Sequence, residues 1–574
     1  MDISKTEFKR YCKCDAFYSL DKIYYTHSLD IENRENVIEM LHKMFGEDGE
    51  DLIKIPDQKL EAMLCYYQEV ERLALEEASK LLGKPFEYKE KTKEQKSFSI
   101  TDTLGNTFYT YVDGYYEDEN EIIIIEAKAS TSKKYLELGY TEKKVLYTLF
   151  EKNDNLITLR KEINEKYYNC LKKLYDKDTD VGKYMYDLGI TKYIVSQSLK
   201  KKSLSDNKSN NKNVRYYLAL LNSSYIKDMN DEKIICFIDA TDILNSYDDI
   251  IQTEYNKLIK VLNNPKLNKE SYKKICKDCE YFKICHERLT EKNSILKLIS
   301  SKSVNKVTIE EMVNSGLTLL KDIPYENLEN VNHIIQRNAI DTHTEYINKN
   351  NIKDEINKIE YPIYHLDFEG FNCPIPRFRG EKPYTQSLFQ FSIHVERKPG
   401  VCDRDKDCYS FLPHDFEDHR EDLIKELIKV VDLSNGGSVM VYNKSYESPG
   451  IKNLIDIFPN YEKELTLINS KIVDLLEIVK GKMKDGVNYY HEDLEGSFSI
   501  KKVLPVFSNL TYKDLDVKNG NEAIVAYSTF KYLPKEDIEE IRKNLLKYCG
   551  LDTYSMFVIL DELRRRIKWL TKKN

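Results

Sequence analysis

The chain has 574 residues, 41% of them hydrophobic and 32% charged, and a formal net charge of −8. That length predicts two to four domains with real apolar cores, and the negative balance excludes a nonspecific nucleic-acid coating protein while leaving room for a local basic groove. No leader and no apolar run long enough to span a bilayer is evident, so the expected location is the cytoplasm, where the 12 cysteines are not expected to form a disulfide framework.

In chain order, the first marked feature is Arg10-Tyr11-Cys12-Lys13-Cys14-Asp15, behind an opening helix. Phe86-Glu87-Tyr88 resembles a strand of the domain-of-unknown-function 2779 family that carries an acidic residue before the Asp, which implies Glu87 as an accessory ligand. Next come Tyr111-Val112-Asp113-Gly114, then Glu121, four isoleucines from Ile122 to Ile125, and Glu126-Ala127-Lys128. Consecutive isoleucines predict a buried strand. Glu126 and Lys128 then share a face at its end, because side chains alternate across a strand. Asp113 joins them across a hairpin. Two carboxylates there suit a divalent cation, and a lysine beside them suits a phosphate or a nucleophile. An α-rich insertion follows. Lys200 through Asn213, poor in apolar residues, predicts a loop.

Cys276-Lys277-Asp278-Cys279-Glu280-Tyr281-Phe282-Lys283-Ile284-Cys285 gathers three thiols and lacks a fourth ligand. The N-terminus offers Cys14, with Cys12 close enough to substitute. One cysteine from the extreme N-terminus plus three at the far end of a domain resembles the iron–sulfur RecB-like PD-(D/E)xK nucleases, including the CRISPR-associated kind. The resemblance implies a restriction-endonuclease-like fold over residues 1–290. It also implies a [4Fe–4S] cluster on Cys14, Cys276, Cys279 and Cys285, with Zn²⁺ as the alternative, and Asp113, Glu126 and Lys128 as the catalytic set. The relatives' Gln-x-x-x-Tyr helix corresponds here to Lys143 and Tyr147, so the Gln is missing. No helical His precedes Asp113 in a suitable place, His42 being a poor candidate.

Residues 291–355 predict a helical connector. Its Val313 to Pro324 segment resembles a helix–hairpin unit, with Gly316 ending a helix. Beyond it, the apolar run Tyr361 to Leu366 leads into Asp367-Phe368-Glu369, which places two carboxylates on one strand face. Val439 to Asn443 is a second strand, followed by a helix carrying Glu447. Tyr548 and Asp552 stand four apart on a third element, a helix. Four carboxylates in this order outline a two-metal phosphodiesterase.

These motifs resemble the DEDD exonucleases of the ribonuclease-H-like fold, in the subtype with Tyr four residues before the last Asp. The resemblance covers residues 356–574. It implies that Asp367, Glu369, Glu447 and Asp552 hold Mg²⁺ or Mn²⁺ and that Tyr548 orients the attacking water. Where these enzymes usually carry Asp the chain has Glu447, and Asp474 is a rival for that role. Three further segments resemble the bacterial domain-of-unknown-function 2779 family: Pro374 to Tyr384, Phe389 to Val395, and Gly496 to Pro505. In the last, Ser497, Ser499, Lys501 and Lys502 suit a phosphate backbone. The whole chain is thus expected to be α/β, a PD-(D/E)xK domain with an α-rich insertion followed by a DEDD exonuclease domain. Nucleic acid is the expected partner, DNA favoured over RNA, with no membrane association; the alternative is a scaffold with an inactive first module.

Overall fold

The computed structural model describes residues 1–27, 29–45, 57–205, 212–267, 271–300 and 302–568. The protein is mixed α/β and divides into two units, Met1–Glu270 with Asn372–Thr385, and Ser271–Phe371 with Gln386–Asn574. The connector region therefore packs with the C-terminal sheet, and a short excursion after Phe371 packs with the N-terminal unit.

In the first unit the four isoleucines form the buried middle of the strand Glu121–Thr131, each 0% exposed. This strand runs parallel to Asn213–Leu221 and antiparallel to Gly114–Glu117 within a six-stranded sheet. Asp113 stands at the junction between Thr107–Val112 and Gly114–Glu117. The former strand is the middle of a separate three-stranded sheet, whose edge Asp2–Ser4 leads directly into the helix Lys5–Tyr11. That helix begins with a capping box. Ser4 accepts from the Glu7 backbone, and the Glu7 carboxylate accepts from the Ser4 backbone.

Three local expectations are corrected here. Lys143 and Tyr147 lie on a β-hairpin, Gly139–Glu142 against Val145–Thr148, instead of a helix. Alternating aromatic and β-branched residues favour strands, and Lys143 and Lys144 make the two-residue turn with φ of 49° and 67°. Phe86-Glu87-Tyr88 is not a strand. It leaves the helix Asp57–Leu82 with the Phe86 N–H on the Ser79 hydroxyl, and Glu87 projects to solvent beside Lys89. Lys200 to Ser205 continue the helix Gly182–Ser205 and Asn213 opens a strand, while the predicted loop's residues 206–211 lie outside the described residues.

In the second unit a five-stranded sheet has the order Cys408–Phe411, Ser387–Glu396, Ile363–Phe371, Ser438–Val441, Ile472–Asp474. Neighbours among the first three are antiparallel; the last two run parallel to the central Ile363–Phe371. The 32-residue helix Lys535–Arg566 packs on this sheet. Glu536 and Asp537 in its first turn and Arg564 to Arg566 in its last turn complement the helix dipole.

That packing is partly polar. Gln390, Ser392 and His394 share one face of the second strand and are at most 1% exposed. Gln390 Nε2 donates to the Leu545 carbonyl (3.0 Å), and Ser392 and His394 both meet the Thr553 hydroxyl (3.1 and 2.7 Å). Each of the three side chains makes a hydrogen bond to the helix, with Gln390 Oε1 left buried and unpartnered, so the row sets the helix register as well as filling space. Earlier in the unit, Gly316 takes φ of 98° beyond the helix Ile309–Asn314. The N–H of Gly316 and of Leu317 bond back to Val313 and Met312, closing the helix end as expected.

Candidate active sites

Asp367 and Glu369 lie within the central strand and, two residues apart, point to one face. Glu447 sits in the first turn of the helix Lys444–Ile457, which follows the neighbouring parallel strand. Asp552 and Tyr548 are one turn apart on the long helix. Sequence-distant carboxylates on three elements thus come close enough for their charges to act on one another. Glu369, Glu447, Asp552 and Tyr548 are all buried, at 6, 2, 6 and 5% exposure.

Their charges act strongly on one another. Burial, then the Asp552 charge, holds the Asp367 carboxyl well above its ordinary range. Burial with Asp367 and Asp552 does the same to Glu369, and burial with Asp367 does it to Glu447. Asp552 is pushed up only to about 6: burial raises it, while hydrogen bonds from Tyr512 and Tyr548 and the charge of Lys501 hold it down. One Glu447 oxygen, Oε2, is buried without a hydrogen-bond partner. Buried carboxylates that repel and lack donors are costly unless a cation joins them. The donor set is therefore suited to hard divalent cations.

Asp474 behaves differently. Its oxygens accept from the backbone N–H of Asn443 (2.9 Å), Lys444 (3.0 Å) and Leu476 (2.9 Å), so it caps two helices. Asn443, with φ of 79°, makes the sharp strand-to-helix turn that this capping holds.

Two members of the site escape motif reading. Tyr512 donates to Asp552 Oδ1 at 2.6 Å and sets its ring edge toward Tyr548, centroids 6.2 Å apart. Cys549, 0% exposed, places Sγ 3.3 Å from Asp367 Oδ2. Asp367, Glu369 and Cys549 offer ligand atoms all within 4.8 Å of one another, the one such group of three among the described residues. Tyr512 belongs to an irregular segment 40 residues from its partner, and no spacing rule points to it. Cys549 adjoins the motif tyrosine but occupies no motif position. Lys501, one of the four predicted phosphate contacts, is the lysine whose charge reaches Asp367, Glu369 and Asp552; Lys502 instead pairs with Glu495 (2.8 Å).

In the first unit, Glu126, Lys128 and Asp113 do meet. Asp113 Oδ2 accepts from the Ala127 N–H (2.8 Å), and Lys128 pairs with Glu126 Oε1 (2.8 Å). The structure adds groups that the sequence does not signal. Lys5, from the opening helix, also reaches Glu126 Oε1 (2.7 Å), and Asp187 takes Lys128 and Lys9, both at 3.1 Å. Burial alone would lower the Lys5 and Lys128 ammonium groups, but Asp187 and Glu126 more than offset it and hold both charged. Asp113 is pushed up to about 7 by burial and the Glu126 charge, and Glu71 is held far above its usual range by burial and Asp113. So Glu126 already carries two ammonium groups, while Asp113 and Glu71 form a carboxylate pair beside it. Both ammonium groups meet Glu126 Oε1, while Glu126 Oε2 is buried without a hydrogen-bond partner, as Glu447 Oε2 is in the second unit.

The cysteines fall in different parts. Cys276 lies in the short helix Lys274–Asp278, Cys279 directly after it, and Cys285 at the end of Phe282–Cys285, all in the second unit. Cys14 belongs to the first. All four are half-buried. The Cys12 thiol is pushed up to about 12 by burial and Glu254 and is bonded to Tyr186.

Residues 364–499 match the model of a family described as a domain of unknown function, DUF2779. The match includes Asp367, Glu369 and Glu447 and stops before Tyr512, Tyr548, Cys549 and Asp552. It supports the resemblance read from the Phe389 to Val395 segment. Neither the curated proteins nor the solved structures gave a match to the chain. Among the described residues, no helix is long and apolar enough to cross a membrane.

Proposed function

We propose that the second unit is a metal-dependent nuclease that hydrolyses nucleic-acid phosphodiesters, acting as a 3′–5′ exonuclease on DNA with a ribonuclease-H-like fold. The observation that carries this reading is the convergence of Asp367, Glu369, Glu447 and Asp552 from three elements, with Glu447 Oε2 buried and unpartnered. Mg²⁺ or Mn²⁺ ions on these carboxylates would supply charge stabilisation for the entering and leaving oxygens. The protein's own groups do the rest. Tyr548 orients the attacking water, Tyr512 fixes Asp552, and Lys501 lends positive charge beside the phosphate. Engagement of Asp474 by three backbone N–H groups favours Glu447 as the second-motif ligand.

The first unit is read as a RecB-like PD-(D/E)xK module. The two ammonium groups on Glu126 favour a substrate-guiding scaffold for it over an independent catalyst. A [4Fe–4S] cluster on Cys14, Cys276, Cys279 and Cys285, or Zn²⁺ in its place, rests on the cysteine spacing; anaerobic purification with iron, sulfide and zinc analysis tests it, and protein devoid of all three refutes it.

The nuclease reading is tested with end-labelled single- and double-stranded DNA and RNA in Mg²⁺ or Mn²⁺, comparing the natural chain with Asp367→Asn, Glu447→Gln and Lys128→Ala. Loss of degradation with the first two and retention with the third is expected. Preference for RNA would move the assignment to an RNA-processing exonuclease. Absence of cleavage of every substrate would leave the scaffold reading.

A further inference from the structure

The carboxylate site of the second unit contains one group that hydrolysis by hard cations does not call for. Cys549 is fully buried, and its Sγ lies 3.3 Å from Asp367 Oδ2 and 3.7 Å from the Asp367 carbonyl. Together with Asp367 and Glu369 it presents three ligand atoms within 4.8 Å of one another. A second observation points to a cation at the same place. Glu447 Oε2 is buried without a hydrogen-bond partner, in a residue whose carboxyl senses the charges of both Asp367 and Glu369.

Ligand softness decides which cation gains most. Carboxylate oxygens alone suit Mg²⁺ and Mn²⁺, whereas a thiolate adds affinity chiefly for soft or borderline ions, and Zn²⁺ already stands above Mn²⁺ for a given N, O or S donor set. Two carboxylate oxygens and one thiolate are three protein donors of the kinds Zn²⁺ takes, in tetrahedral sites that keep one position open. Cys549 also adjoins Tyr548 on the helix, so a cation drawn toward sulfur changes the surroundings of the tyrosine that orients water.

We infer that Asp367, Glu369 and Cys549 form a site for a thiophilic divalent cation, Zn²⁺ or Cd²⁺, whose binding inhibits the hydrolytic centre. The inference rests on the nuclease reading for its consequence but not for its binding step. On binding, Cys549 gives up its Sγ–H bond to Asp367, the proton passes to solvent, and the thiolate joins the cation. No oxidant or reductant is involved.

The binding step is measured on the full-length protein by titrating Cd²⁺ and following the ultraviolet sulfur-to-cadmium charge-transfer band, with Cys549→Ser and Asp367→Asn in parallel. The other cysteines contribute equally to all three proteins. The natural chain should show one more cadmium equivalent than Cys549→Ser, and Asp367→Asn should bind that equivalent at least tenfold more weakly. The consequence is read as the ratio of Mn²⁺-supported hydrolysis with and without Zn²⁺ within each protein; half-inhibition should require at least tenfold more Zn²⁺ in Cys549→Ser. Identical cadmium titrations of the natural chain and Cys549→Ser overturn the proposal even if the protein hydrolyses DNA. The extra equivalent in a protein that hydrolyses nothing overturns the nuclease reading and leaves the cation site standing. If Cys549→Ser does not fold, Asp367→Asn alone decides: an unweakened equivalent there refutes the site.

Discussion

Replacing Asp367 by Asn should abolish hydrolysis and, in the absence of divalent cations, make the protein more stable. Asp367 and Glu369 present oxygens within 4.8 Å of each other. At an effective dielectric constant of about 20, two full charges at that distance repel by about 3 kcal/mol. Both carboxyls are already held above their ordinary range by burial and by neighbouring carboxylates, so proton uptake relieves part of that repulsion. About 1–2 kcal/mol then remains to be recovered when one charge is removed, equivalent to a rise in Tm of roughly 2–8 °C for a unit of this size. The amide keeps the shape of the carboxylate, and its oxygen can still accept from Cys549. The assay is thermal unfolding in EDTA and again in Mn²⁺, alongside degradation of end-labelled DNA. The variant should unfold higher in EDTA, gain less from Mn²⁺ than the natural chain, and leave the DNA intact. A lower Tm in EDTA would show that Asp367 is held by stabilising partners and not poised against other carboxylates. Continued degradation in a background that also carries Glu126→Gln would refute its catalytic role.

Tyr512→Phe deletes the 2.6 Å bond to Asp552; removing such an outer support of a cation ligand should cost roughly 10–100-fold in activity or Mn²⁺ affinity, and an unchanged Mn²⁺ titration of the rate would refute its positioning role. His394 is pushed down to about 4 by burial and stays neutral between the Thr553 hydroxyl and the Arg404 carbonyl. Its unfolded form binds a proton near pH 6.5, so this residue's stability is fully present above that pH and is lost as pH falls toward 4, by up to about 3 kcal/mol; urea unfolding at pH 7.5 and 5 should show a smaller acid loss for His394→Gln, and equal losses would refute the account. Lys5→Met strips one ammonium from Glu126 and Asp187 and should destabilise the first unit by about 3–5 kcal/mol, as breaking a buried pair does. Mn²⁺ should recover part of that loss, and a variant as stable as the natural chain would mean that the Lys5 pairings contribute nothing.

Local rules made much of the fold legible and failed where a residue's role depends on a distant partner. The isoleucine run could only be a buried strand, and the Asp-x-Glu pair could only share a face, so both are found as read. Lys143 and Tyr147 were placed on a helix by likeness to relatives, although the alternating Tyr140, Val145, Tyr147 and Thr148 pattern around a two-lysine turn already favoured a hairpin. Glu447 and Asp474 could not be told apart by spacing. What separates them is the capping of two helices by Asp474, a three-dimensional circumstance. Lys5 and Asp187 read as ordinary charged positions in a chain that is 32% charged. Only folding brings them to Glu126, across more than a hundred residues in the case of Lys5.

The contrast between the two carboxylate sets follows from where their countercharge comes from. In the first unit the chain supplies it: Lys5, Lys9 and Lys128 surround Glu126 and Asp187, and Asp187 is held well below the usual carboxylate range by these lysines despite burial that would raise it. In the second unit Lys501 is the lysine that reaches Asp367, Glu369 and Asp552, and all three stay raised. Burying carboxylates without enough positive charge costs stability that no packing in the site returns. A chain keeps such an arrangement at a cost unless a cation from outside the chain completes it. The lysines of the first unit serve Glu126 and Asp187 and not its whole carboxylate set, because Asp113 and Glu71 beside them are raised like the carboxylates of the second unit.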